Sequence, residues 1–484
     1  MTRFDRRSFL KSAGVCALAS ALRGQQTAAR PHIVYVLADD LGWGDLPCYN
    51  PGSAIPMPNA DRLAAQGVRF TDMHSPSAVC TPTRYGILTG RYCWRSRLKS
   101  GVLWGYDRAL IEDGRMTVPG LLKQAGYATA GIGKWHLGLG GEEKTDYAKP
   151  LRPGPVTQGF DEYFGIPASL DMEPYVYFEN DRVVEPPAAH TEGKNHPRGV
   201  FYRPGPMAPS FRHEEVLPTL TRKAVEYIQE RAKRPEQPFF LYFPLPSPHT
   251  PWLPTDAVRG RSRAGDYGDF VAQTDDALGA VMQVLDETGL ADNTLLIFTS
   301  DNGADWKIED KEKFAHRANA HWKGEKADVW EGGHRVPFLA RWPGRIPAGS
   351  VRNELGCLTD LMATVAAISG LPLPQNAAED SENLLQVMIG SAEARGRDAV
   401  VHHSINGTFS LRQGDWKLVL GLGSGGFTAP QEVPVQPGGP EGQLFHLAED
   451  PREENNLWQR YPEVVERLKG VLRKIQSEGR SRRS

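Results

Sequence analysis

Several short stretches of this 484-residue chain close on residues that acid–base, metal or oxyanion chemistry uses. "HIVYVLADD" (His32 to Asp40) ends an apolar run on Asp39 and Asp40, and "TLLIFTSDNG" (Thr294 to Gly303) ends another on Asp301 and Asn302. Three carboxylates sharing one pocket repel each other unless a cation sits among them. Oxygen donors with no His or Cys between them favour a hard cation, calcium or magnesium, over zinc. One Asp pair after a strand is more often a solvated loop or a helix cap; two such ends in one sheet shift the balance to a metal. The cationic candidates are Arg84, Lys134, His136, His249 and Lys326, each in a Gly- or Pro-marked turn: "TPTRYG", "GIGKWHLG", "SPHTPW" and "KGEKADVWEGG". Taken singly, each is an ordinary solvated or hydrogen-bonded side chain. Converging on a cation, they would form a funnel for a tetrahedral oxyanion ester. Cys80, in "SPSAVCTPTRYGILTGRY", lies among them.

The elements that must position these residues are legible from periodicity. Continuous apolar runs without alternation predict strands buried on both faces of a mostly parallel sheet. Besides the two above, "YATAGIGKWHLG" and "PFFLYFPLPSPHTPW" read this way. Helical patterns lie between: "NADRLAAQG" with Asn59 as its cap, "VPGLLKQAG", "PTLTRKAVEYIQERAK" and "DFVAQTDDALGAVMQVLDETG" closing at Gly289. The alternation predicts an α/β fold, a large mostly parallel mixed sheet between helices, with ligands at the carboxyl ends of the strands. Residues 143–218, rich in Pro, His and Gly, read as surface loops around a cleft. Past residue 375 the texture becomes short antiparallel strands with turns at Asn406-Gly407 and Gln413-Gly414, then an amphipathic helix with Pro462 in its first turn. The expected division is 1–30, 31–375 and 376–484.

Residues 1–30 read as an address. Arg6 and Arg7 precede Phe9-Leu10-Lys11 and a modestly apolar stretch ending in small residues, the layout of a twin-arginine export signal removed between Ala21 and Arg30. The expectation is a periplasmic or secreted protein handled by the twin-arginine machinery. A net charge of −2 offers no basic surface for nucleic acid, and no apolar run reaches the length of a membrane span. Beyond Cys16, only Cys48, Cys80, Cys93 and Cys357 remain, too few and scattered for a disulfide framework.

"CTPTR" at Cys80 to Arg84, followed by "LTG" at Leu88 to Gly90, resembles the signature of the type I sulfatases, in which C-x-P-x-R directs a dedicated enzyme to oxidise the cysteine to formylglycine. "ADDLGWGD", "GKWHLG", "SPHTPW", "SDNG", "EGGHRVP" and the tail "LFHLAEDPREENNL" follow in the family's order, so the resemblance spans residues 31 to 475. It implies an alkaline-phosphatase-like superfold and hydrolysis of sulfate esters by a hydrated formylglycine at position 80. It also implies a formylglycine-generating enzyme as a partner before export. Asp39, Asp40, Asp301 and Asn302 match the family's metal ligands, with position 80 completing the shell; calcium is implied, and the ligand types admit magnesium. Arg84 matches the arginine steadying these carboxylates, and Lys134 and His136 the pair contacting the diol, with His136 as base. His249 and Lys326 match the pair holding sulfate, with His249 as acid. Lys326 is preferred to Lys323 for its spacing before Glu331, and Ser169 aligns with a serine near the site. The pattern resembles the branch of arylsulfatase A and the N-acetylgalactosamine-6-sulfatases. Aromatic- and charge-rich loops at 91–108 and 166–187 suit a sulfated carbohydrate, with aryl sulfates as artificial substrates. The competing readings are a phosphatase or phosphodiesterase of the same superfold and a non-catalytic glycan-binding homologue.

Overall fold

In the computed structural model, residues 30–483 are described; the twin-arginine segment and Cys16 lie outside them. Ten strands make the main sheet: β1 (His32–Asp39), β2 (Val68–Phe70), β3 (Ala128–Lys134), β4 (Glu162–Ile166), β5 (Phe178–Glu179), β6 (Arg182–Val183), β7 (Phe239–Pro248), β8 (Thr294–Ser300), β9 (Phe338–Arg341) and β10 (Ser350–Arg352). Their spatial order is β10-β2-β9-β8-β1-β7-β3-β4-β5-β6. The central run β8-β1-β7-β3-β4 is parallel throughout, and antiparallel pairs appear only toward the two margins. Every residue of β1, β7 and β8 is buried. Side chains alternate between faces along a strand, so both faces of the sheet are covered.

The cover is two groups of helices. α1 (Pro58–Gln66), α4 (Val216–Arg231) and α5 (Gly265–Glu287) pack together, as do α2 (Cys80–Thr89), α3 (Val118–Gln124) and α6 (Leu361–Ser369). The expected cap of α1 is corrected. The helix starts at Pro58, and Asn59 sits inside the first turn. The free N–H groups of Asn59 and Ala60 are instead taken by the carboxylate of Asp275 on α5, at 3.0 and 2.8 Å. A helix N-terminus needs acceptors for its orphan amides, and here they come from across the fold.

The segment expected as loops around a cleft is partly sheet, since it supplies β4, β5 and β6. Leu384, Val387 and Met388, beyond residue 375, still pack into the main core. The second core begins with β11 (Ala399–His403), β12 (Phe409–Gln413), β13 (Trp416–Val419) and β14 (Gln443–His446), a four-stranded antiparallel sheet. α7 (Pro462–Ser477) buries Val465, Leu468, Leu472 and Ile475 against it. Its tight turns place Gly407 and Gly414 at φ 85° and 57°, a region open to glycine.

A buried charged cluster joins the two units. Lys417 of β13 donates to Glu331 (3.1 Å) and Glu453 (2.8 Å), and its Nζ lies 3.0 Å from His334 Nε2; all these side chains are buried. Arg335 pairs with Glu331 and Asp72. His74 and His334 meet at 3.1 Å through their Nδ1 atoms. All four cysteines of the described residues are free thiols, three buried and Cys48 partly so. No helix among the described residues is long and apolar enough to cross a membrane.

Candidate active site

Four adjacent parallel strands deliver the site at their carboxyl ends. Asp39 closes β1 and Asp40 follows it; Asp301 and Asn302 follow β8; Lys134 closes β3; His249 follows β7. Cys80 is the first residue of α2, whose ten residues are all buried. Asp40 and His136 hold left-handed backbone, φ 66° and 56°, a conformation that costs energy for non-glycine residues and clusters at functional sites.

Side-chain oxygens of Asp39 and Asp40, Sγ of Cys80 and a ring nitrogen of His249 all lie within 4.8 Å of one another. Lys134 Nζ donates to Asp39 Oδ2 at 2.6 Å and Lys326 Nζ to Asp40 Oδ2 at 2.7 Å. Asn302 gives its Nδ2 to Asp40 Oδ1 at 2.7 Å, which turns its own oxygen away from that bond. Asp301 stands slightly back: its Oδ2 takes a forked pair from Arg84 at 3.1 and 2.8 Å, and its Oδ1 accepts the Asp40 amide at 3.3 Å. Arg84 is completed by the carbonyl of Lys134 at 3.0 Å.

The donor set fits a hard cation on direct observation. Asp39 Oδ1 and Asn302 Oδ1 are buried acceptors with no hydrogen-bond partner, which a fold rarely tolerates without a ligand. Burial, and then the charge of Asp39, push the Asp301 carboxyl up to about 7. Burial would raise Asp39 as well, but Lys134, His249 and Arg84 outweigh it and hold its carboxyl well below the usual range. Three carboxylates therefore face three fixed cations, Arg84, Lys134 and Lys326, in a nearly balanced pocket. A divalent ion added there leaves the pocket net positive, as an anionic substrate requires.

Cys80 stands where the hydrated aldehyde implied by its motif would stand. As a thiol it is no nucleophile: burial pushes it up to about 12. His136 is held neutral, its pKa well below the ordinary value because of burial and then Lys134 and Arg84. Its Nε2 meets the Leu103 carbonyl at 2.8 Å, while buried Nδ1 has no partner. Ser169 Oγ accepts from Lys134 at 3.1 Å and lies 3.2–3.3 Å from the ring nitrogens of His249. The candidate site residues thus lie in one connected group, which His136 joins through its carbonyl, bonded by Thr81 next to Cys80. Lys323 lies elsewhere, donating to the Glu453 carbonyl and stacked over Trp330.

Sequence reasoning missed Asp171, a buried carboxylate 4.0 Å from His249 Nδ1. Its signal was its position two residues after Ser169 in "PASLD". It also missed Thr81, which donates to the His136 carbonyl (3.0 Å) and accepts the Leu103 amide (3.2 Å), fastening the start of α2 to the loop that receives His136.

A doubly covered α/β sheet presenting oxygen ligands, paired lysines and a neutral histidine at its strand ends defines a hydrolase of anionic esters. The chain belongs to the sulfatase family, whose model matches residues 31–371. It is similar to an N-acetylgalactosamine-6-O-sulfatase of Bacteroides thetaiotaomicron, 34% identical over 93% of this chain and 94% of that protein. It is also similar to human arylsulfatase A, 35% identical over 81% and 75%. A solved structure connected with the metabolism of multiple glycosaminoglycans by Bacteroides thetaiotaomicron superposes with TM-score 0.83 at 32% identity, over 93% of this chain and all of that one. A phosphonate monoester hydrolase of Agrobacterium radiobacter shares the fold alone, with TM-score 0.61 at 18% identity over 93% and 96%. Fold by itself therefore does not separate sulfur from phosphorus esters.

Proposed function

We propose that this sulfatase hydrolyses sulfate esters of a carbohydrate through a formylglycine made from Cys80, with a calcium ion held by Asp39, Asp40, Asp301 and Asn302. The observation that carries the reading is the convergence of Cys80 with Asp39, Asp40 and His249 at the strand ends, beside two orphaned buried acceptors. When bound, the cation supplies Lewis-acid polarisation of the oxygens facing it. Lys134 and Lys326 then exchange their carboxylate partners for sulfate and diol oxygens. One hydroxyl of the hydrated aldehyde gives its proton to the Asp301 carboxylate and attacks sulfur, and the S–O bond to the alcohol breaks as His249 gives its proton to the leaving oxygen. Sulfate departs when the second hydroxyl loses its proton to His136 Nδ1 and the aldehyde C=O re-forms. Neutral His136, with its partnerless Nδ1, suits that acceptor role.

The alternative phosphoesterase reading is disfavoured by the donor set, which is oxygen-rich rather than the His-rich shell of zinc phosphoesterases. A glycan-binding homologue without turnover would keep the thiol at position 80. Mass analysis of the peptide containing that residue tests both at once. Conversion of thiol to aldehyde lowers its mass by about 18 Da. An intact thiol in protein that hydrolyses sulfate esters overturns the mechanism.

We propose, further, that the chain is exported as its twin-arginine motif implies, so that turnover takes place outside the cytoplasm. Fusion of residues 1–30 to a reporter and its transport in a strain lacking the twin-arginine translocase tests this.

A further inference from the structure

The wall beside His249 carries groups that the sulfate chemistry leaves unused. Asp171 pairs through Oδ2 with Arg203 Nη1, while its buried Oδ1 has no hydrogen-bond partner and faces His249. Arg203 Nη1 also reaches the Asp171 carbonyl at 3.3 Å, and Tyr175 OH ties that carbonyl (3.0 Å) to the carbonyl of Arg203 (2.8 Å). The guanidinium is held against two rings, 4.7 Å from Trp104 and 4.8 Å from Phe201. Its Nε and Nη2 donate to no protein atom among the described residues, and the side chain keeps 30% exposure. Trp104 directly follows Leu103, whose carbonyl receives His136 and whose amide meets Thr81 beside Cys80. Trp104 is 47% exposed. The strand of chain carrying it is fixed by close approach, since a Cβ on Gly105 would lie 1.9 Å from the Glu173 carbonyl.

A solvent-facing arginine is ordinarily mobile. This one is pinned by a carboxylate and two rings with part of its donor fork left open, so little freedom remains to be lost on binding an anion. The indole beside it offers apolar surface of the kind on which a pyranose ring packs. Because His249 faces the leaving oxygen, the alcohol half of a substrate must run along this wall.

We infer that Trp104 and Arg203 form the subsite for the leaving-group sugar: the indole carries a pyranose ring and the free guanidinium edge binds an anionic substituent, a carboxylate or a second sulfate. The substrate is then an anionic oligosaccharide rather than a neutral aryl or steryl sulfate. The inference rests on the sulfatase reading above.

The test compares wild type, Arg203→Ala, Arg203→Lys, Trp104→Ala and Trp104→Phe on four substrates. These are a sulfated disaccharide bearing a uronate, a disulfated disaccharide without one, a singly sulfated N-acetylhexosamine, and 4-nitrophenyl sulfate. Arg203→Ala should raise KM about tenfold or more on whichever disaccharide carries the matching anion, with kcat nearly kept, and do distinctly less to the other two substrates. The disaccharide that responds identifies carboxylate or sulfate. Trp104→Ala should raise KM about fivefold on all three sugars, and Trp104→Phe should recover most of it. Equal proportional losses on 4-nitrophenyl sulfate and the sugars would mean a merely structural role and overturn the subsite, as would no change on any sugar. Wild-type protein carrying formylglycine that hydrolyses no sulfate ester would instead overturn the underlying sulfatase reading, and the subsite with it.

Discussion

Replacing Lys417 by Met should cost this protein about 3–5 kcal/mol of stability, the usual consequence of removing one partner from a buried ion pair. The residue is fully buried, 3.1 Å from Glu331 and 2.8 Å from Glu453. At an effective dielectric constant of 20, a unit charge pair about 3 Å apart attracts by ~5 kcal/mol, so two such contacts are lost. Part of that loss is offset because methionine needs no desolvation of an ammonium. Arg335 still faces Glu331, whereas the Glu453 carboxylate keeps no ion-pair partner among the described residues, Lys323 reaching only its backbone carbonyl. Lys417, Arg335 and His74 together overcome the burial that would raise Glu331 and hold it well below the usual carboxylate range. Glu453 is already raised by burial despite Lys417. Without the lysine the folded-state pKa of Glu453 rises further above its unfolded value, while Glu331, still paired with Arg335, loses only part of its depression. Ionised Glu453 is then penalised, so the deficit grows as pH increases above the usual carboxylate range. Urea unfolding of wild type and variant at pH 5.5 and 8 measures this. A deficit below about 1 kcal/mol, or one equal at both pH values, would refute the electrostatic account. Adding Glu453→Gln should recover much of the loss by removing the stranded charge.

Other outcomes follow from the site. Gly303→Ala should weaken folding and lower activity, because its Cβ would lie 1.8 Å from the Gly332 carbonyl and push the loop of Asp301 and Asn302 from the Glu331 loop; thermal unfolding and turnover of an aryl sulfate both report it. His249→Ala should lower kcat about 10²–10⁴-fold on sugar sulfates and much less on 4-nitrophenyl sulfate, whose leaving group needs no proton; equal losses would remove its role as acid. Chelation should abolish turnover and lower the unfolding temperature, with calcium restoring both better than zinc; unchanged stability after verified metal removal would contradict the cation site.

Much of this arrangement was legible because it is local in sequence. Apolar runs ending in Asp39-Asp40 and Asp301-Asn302 announce both the strands and the donors proposed for the cation, and the parallel sheet aligns their ends without further information. Contacts set by distant pairs were not legible. Asn59 was misread as a cap because Asp275, 216 residues away, does that work. Asp171 looks like any loop aspartate until Arg203 and His249 are placed around it. Lys417 likewise sits in the short strand Trp416–Val419, and only the packing around it shows that it holds the glycine-rich helical turn Glu331–His334.

The burial of α2 bears on the order of events in the life of the chain. Cys80 opens a helix with no exposed residue, its own surface 2% accessible. A modifying catalyst must bring its own active centre to that sulfur, and the finished architecture leaves it no approach. On the formylglycine reading proposed above, oxidation at this position belongs to the nascent polypeptide, and a molecule that collapses first is locked out of activity for as long as it stays native.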